Sequence, residues 1–151
     1  MKSASALARP APPAYRPTSY RLTAPNAETA PAVVRDLVAA LLLSTGHPHL
    51  VDAARLCTSE AATNVHRHAA QTAFVNVEVS VRREGVTIRV VDDEPHLLPE
   101  PQDRYTDQER GLGLHLIEMC SDAWGVSVQG GLIPTTKSVW FRLDEGGRGA
   151  A

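Results

Sequence analysis

Residues 59–92 read SEAATNVHRHAAQTAFVNVEVSVRREGVTIRVVD, and the apolar period changes halfway along them. After Phe74, Val75, Val77, Val79 and Val81 alternate with Asn76, Glu78 and Ser80, which predicts a β-branched strand with one buried face. Glu84-Gly85 is a two-residue hairpin candidate, and Val86 to Val91 returns as the partner strand. Before the hairpin the period is helical. Leu50, Ala54, Cys57, Ala61 and Val65 form one stripe, so a helix is expected from Pro48 to about Ala70.

Upstream, Tyr20 to Thr23 suits a short first strand, and Asn26 or Thr29 can cap a helix with Pro31 in its first turn. Val33, Val34, Leu37, Val38, Leu41 and Leu42 give that helix its spacing, and Gly46 ends it. Downstream, residues 93 to about 108 are polar and hold Pro95, Pro99 and Pro101, a long loop of the kind used as a lid, a binding loop or a solvated connection. A helix from about Gly111 to Asp122 and strands at Trp124–Val128 and Ser138–Leu143 follow. The order β-α-α-β-β-loop-α-β-β predicts an α/β sandwich: a mixed, mostly antiparallel sheet with helices on one face. Residues 19–144 form this domain, with a disordered Ala/Pro/Ser tail at 1–18 and a flexible tail at 145–151.

A chain of 151 residues that is 43% hydrophobic and 5% aromatic can bury one aliphatic core. A net charge of −2 argues against direct nucleic-acid binding. No apolar run reaches a membrane span, and Lys2 is followed by small residues and prolines rather than a signal-peptide core. Cys57 and Cys120 lack metal-ligand spacing and read as buried thiols of a cytoplasmic protein. His66 and His68, two apart on a helix, diverge and do not suit one metal ion.

Three stretches carry chemistry. Glu60, Asn64 and His68 are four apart, so they share one helix face beside the apolar stripe. There a carboxylate can take a proton and an amide oxygen can serve magnesium, although a solvated polar face has the same spacing. Gly111-Leu112-Gly113-Leu114 opens the third helix, where backbone N–H groups can meet an anion; a tight loop-to-helix turn explains the glycines as readily. Asp92 ends a buried strand and can accept from an amino group, bind a metal or simply stop the strand.

In order, these pieces resemble the GHKL-type ATPase/kinase domains of gyrase, histidine kinases and MutL, which share a Bergerat-type ATP-binding fold. The chain is most similar to the stand-alone anti-sigma-factor serine/threonine kinases and their actinobacterial relatives. Ser59 to Ala69 resembles the N box, Val90 to Pro95 the first glycine box, and Arg110 to Ile117 the second. Ser121-Asp-Ala-Trp124-Gly125 and Lys137-Ser138-Val-Trp140-Phe141 resemble the closing strands. The resemblance implies ATP and Mg2+ as ligands, with Glu60 as general base and Asn64 holding magnesium between the phosphates. It implies that Asp92 binds the adenine amino group and Ser138 completes the adenine pocket. Gly111, Leu112, Gly113 and Leu114 would contact the phosphates, and His68 lies in the N box. The implied partners are a sigma factor, an anti-anti-sigma protein of STAS type, and a second copy of the chain met through the first strand and the helix after it.

The first glycine box of the family reads Asp-x-Gly-x-Gly, whereas Asp93-Glu94-Pro95 follows Asp92 here. That difference keeps a second reading open: a sigma-factor or other protein-binding module with a vestigial nucleotide pocket. Arg89 to Pro95 also resembles the opening strand of a receiver domain, but too few residues follow Pro95 to complete one. The catalytic half of a histidine kinase would need an upstream helical hairpin with a phosphoacceptor histidine, which residues 1–18 do not supply.

Overall fold

A computed structural model describes residues 17–95 and 112–151. The elements are β1 (Thr18–Pro25), α1 (Ala30–Ser44), a 3-10 turn (Pro48–Leu50), α2 (Val51–His68), β2 (Phe74–Arg82), β3 (Gly85–Asp92), α3 (Leu112–Cys120), β4 (Ala123–Gln129) and β5 (Thr136–Asp144). The strands form one sheet in the order β1-β2-β3-β5-β4, and every pairing is antiparallel. The expected parallel component is absent from these pairings: β3 and β4, the strands on either side of α3 in the chain, are not neighbours, because β5 lies between them and pairs antiparallel with both.

The alternation of β2 decides which face is buried. Val75, Val77, Val79 and Val81 point to the helices, as do Ile88 and Val90 of β3 and Val139, Phe141 and Leu143 of β5. Opposite them lie Val34, Val38 and Leu42 of α1, the stripe Leu50-Ala54-Cys57-Ala61-Val65, and Leu114 and Ile117 of α3. The other face is polar: Arg21 pairs with Glu78 at 3.0 Å, and Thr23 donates to Asn76 at 2.8 Å. This is the α/β sandwich, with one core between the helices and one side of the sheet.

The boundaries move for identifiable reasons. The second helix starts after a 3-10 turn and ends at His68, because Ala69 (φ −125°, ψ 56°) leaves the helical region. Glu84-Gly85 is not the turn: Arg82 pairs with Gly85 across Arg83-Glu84, and Gly85 is the first residue of β3. A Cβ at Gly85 would meet the Leu143 carbonyl oxygen, so the glycine serves the close approach of β5. Gly46, with φ 86°, does terminate α1, letting His47 N–H reach the Leu42 carbonyl at 2.9 Å. Thr29 precedes α1 without a side-chain cap, and Asn26 is used elsewhere. Val33 and Leu37, part of the expected stripe, are exposed, whereas Val34, Val38 and Leu42 are buried in the core and Leu41 packs against it.

Residues 145–151, expected as a tail, make specific contacts. Glu145 pairs with buried His47 at 2.7 Å, Arg148 N–H donates to Asp122, and Ala151 exchanges hydrogen bonds with His49. Thr18 already pairs with Val81, so the sheet begins just inside the stretch expected as the first tail; residues 1–16 lie outside the described residues. Among the described residues, no helix is long and apolar enough to cross a membrane.

Candidate functional site

α2 carries Glu60 and Asn64 one turn apart, where its buried stripe meets its outer face, and both are half-buried. α3 packs against this border, with Gly113 beside Glu60 and Asn64. A Cβ there would lie 2.8 Å from Glu60 Oε2 and 3.7 Å from Asn64 Oδ1. Glycine therefore lets the first turn of α3, whose N–H groups have no acceptor within the helix, lie against an acid and an amide. The structure brings Glu60, Asn64 and Gly113 together. Leu114 is buried in the core, where its side chain anchors α3. Leu112 is exposed, as is His68 at the end of α2. Gly111 and the expected 93–108 loop from residue 96 onward lie outside the described residues.

Asp92 closes β3 on the helix side of the sheet and is buried. Its Oδ1 accepts from Lys137 Nζ at 2.9 Å and from Glu94 N–H at 2.8 Å. Lys137 also donates to the Glu94 carbonyl. Asp92 and Lys137 are directly opposed in the β3–β5 register. Strand alternation explains the pairing: Val139 and Phe141 face the helices, so Lys137 does too. Ser138 consequently faces the opposite side, with Val91 and Ser127 as register partners, and its buried hydroxyl has no hydrogen-bond partner. The structure does not bring Ser138 to Asp92. Lys137 stands there instead, a residue that the sequence reading missed although its parity with Val139 and Phe141 signalled it.

A third set of bonds holds the end of β3 against the α2–β2 loop. Asp93 N–H donates to Thr72 Oγ1 at 3.1 Å, and Gln71 N–H donates to Glu94 Oε1 at 2.8 Å. Asn26 braces that loop by donating to the carbonyls of Ala69 (3.2 Å) and Thr72 (2.8 Å), while its Oδ1 meets His66 Nδ1 at 3.3 Å. One amide thus joins β1, the end of α2 and the approach to β2.

The donor set bears on which cation fits. No group of three or more His, Cys, Asp or Glu gathers to hold a metal among the described residues. Asn64 offers one neutral oxygen next to a carboxylate, which suits a hard cation that arrives with most of its ligands on a polyphosphate.

No curated protein matches the chain. The structure thus sets a helix-borne acid and amide under a glycine of a second helix, and a buried aspartate at a strand end, on an antiparallel sheet with helices on one face. The model of the histidine kinase-like ATPase domain matches residues 23–137, from β1 to Lys137, and the chain belongs to that family.

Proposed function

We propose that the chain binds ATP with Mg2+ and transfers the γ-phosphoryl group to a serine or threonine of a protein. The observation that carries this reading is the meeting of Gly113 with Glu60 and Asn64. Phosphoryl transfer rests on positioning and electrostatics, and these three residues supply both. Asn64 would hold Mg2+, which when bound neutralises phosphate charge. The first turn of α3 adds the partial positive charge of a helix N-terminus. Glu60 orients the incoming hydroxyl and takes its proton as the oxygen bonds to the γ-phosphorus and the bond to the β-phosphate oxygen breaks, releasing ADP. Asp92 accepts from the adenine amino group.

The resemblance to anti-sigma-factor kinases supports a cellular role: sequestering a sigma factor and phosphorylating an anti-anti-sigma protein of STAS type, as a homodimer in the cytoplasm. The glycine-free Asp92-Asp93-Glu94-Pro95 favours a second reading, a protein-binding module whose pocket does no chemistry. Titration calorimetry with MgATP separates the two, since folded protein giving no heat at millimolar nucleotide rejects the kinase. Given binding, Glu60→Gln keeps ATP and lowers phosphorylation about 10²-fold or more, while Asn64→Ala loses both. Wild-type phosphorylation by Glu60→Gln rejects the base assignment. Recovery of a sigma factor but no phosphorylated protein from the cell's own lysate favours the binding module.

A further inference from the structure

Lys137 is one of only two lysines in the chain, and it is 4% exposed. A buried ion pair is seldom worth its desolvation unless further polar contacts complete it. Here completion is partial. Two of the three ammonium N–H groups are used, by Asp92 Oδ1 and the Glu94 carbonyl. On the aspartate, Oδ1 takes both protein donors, and no donor reaches Oδ2 among the described residues. With Nζ held 2.9 Å from Oδ1, the pair offers one donor on the ammonium and one acceptor, Oδ2, on the same carboxylate, at the strand end where the nucleotide reading puts the base. The edge of adenine has the complementary pattern: an exocyclic amino donor beside the ring nitrogen N1, an acceptor.

We propose that Lys137 is a base-recognition residue that works with Asp92 as a two-point reader of adenine. Asp92 Oδ2 accepts from the amino group, and Lys137 donates its remaining N–H to N1. The proposal rests on the nucleotide reading above and adds to it a residue from β5. It also gives the Glu94 carbonyl a task. With Asp92 it fixes the ammonium at two points, so the remaining N–H has one direction.

The test pairs a ligand atom with a side chain. Wild type and Lys137→Met are titrated with MgATP and with its 1-deaza analogue, which keeps the amino group but has C–H in place of N1. Wild type binds the analogue about tenfold more weakly than ATP, the return of one hydrogen bond from a charged donor. Lys137→Met binds the two equally. A merely structural lysine would weaken both ligands alike and leave their ratio unchanged in the variant, which overturns the proposal. Tighter ATP binding by Lys137→Met also overturns it, since the ammonium would then be a plug. The wild-type arm stands alone if the variant does not fold, because equal affinity for ATP and the analogue overturns the proposal without it. ATP binding with no N1 preference rejects Lys137 only, whereas folded wild type that binds no ATP rejects the nucleotide reading with it.

Discussion

Replacing Gly113 with alanine tests whether the absence of a side chain between α3 and the Glu60–Asn64 face of α2 serves the site or the fold. The added Cβ would sit 2.8 Å from Glu60 Oε2, 3.5 Å from Glu60 Cβ and 3.7 Å from Asn64 Oδ1. Only the first contact is too short, and it involves the far end of a half-buried, flexible side chain. Swinging the carboxylate away costs about 1 kcal/mol if it leaves its rotamer well. Alanine returns up to about 1 kcal/mol of helix propensity, less here because the residue lies in the first turn. The net change in stability is within about 1 kcal/mol, a shift in Tm of no more than about 5 °C. The effect on the site is larger. A methyl group enters the space between Glu60 and Asn64, and the loss of one charge-assisted contact to the phosphates costs about 1.5–3 kcal/mol, tenfold or more in ATP affinity. Thermal melting and MgATP calorimetry on one preparation give both quantities. Unchanged melting with unchanged ATP affinity would refute the assignment of this surface to nucleotide. A stability loss above about 3 kcal/mol would show that the glycine serves helix packing.

Three further predictions concern the frame. Asn26→Ala removes the brace on residues 69–73 and lowers unfolding free energy by about 1–3 kcal/mol in urea titration; ATP affinity falls with it because Thr72 and Gln71 hold Asp93 and Glu94, and an unchanged denaturation midpoint would contradict this. Burial pushes the Cys57 thiol up to about 12, with Cys120 and Glu60 acting in the same direction. An aromatic disulfide reagent at pH 8 therefore modifies one thiol quickly in the folded protein and two in denaturant; two fast thiols in the folded state would contradict the burial. The same shift costs stability as pH rises from about 9 towards 12, because the unfolded chain releases a proton that the folded chain keeps.

The sequence made the hairpin and the α2 stripe legible because each is a local periodicity: Val75 to Val81 alternate, and Leu50 to Val65 recur on one helix face, and all of these are buried. The width of an apolar stripe is not local information. Val33 and Leu37 continue the pattern of α1, but only a partner surface decides that Val34 and Val38 face it. Gly85 looked like a turn residue because turns favour glycine, whereas its reason is the Leu143 carbonyl of another strand. In the site, the helix spacing of Glu60 and Asn64 was sufficient to pair them. Asp92 and Lys137 are 45 positions apart and meet only through strand register, which a motif match at Ser138, on the opposite face, does not report.

The sheet order also governs when the site can exist. β5 is the last strand in the sequence but lies inside the sheet, between β3 and β4. On a ribosome, a chain synthesised as far as residue 135 has β3 as an open edge, with a row of unpaired backbone groups. Its Asp92 carboxylate then has no Lys137 opposite. Insertion of residues 136–144 closes that edge, delivers Phe141 to the core and the ammonium to Asp92 in one event. The Asp92–Lys137 pair therefore arrives with the final strand, and a nascent chain stalled before it presents an open, aggregation-prone sheet edge.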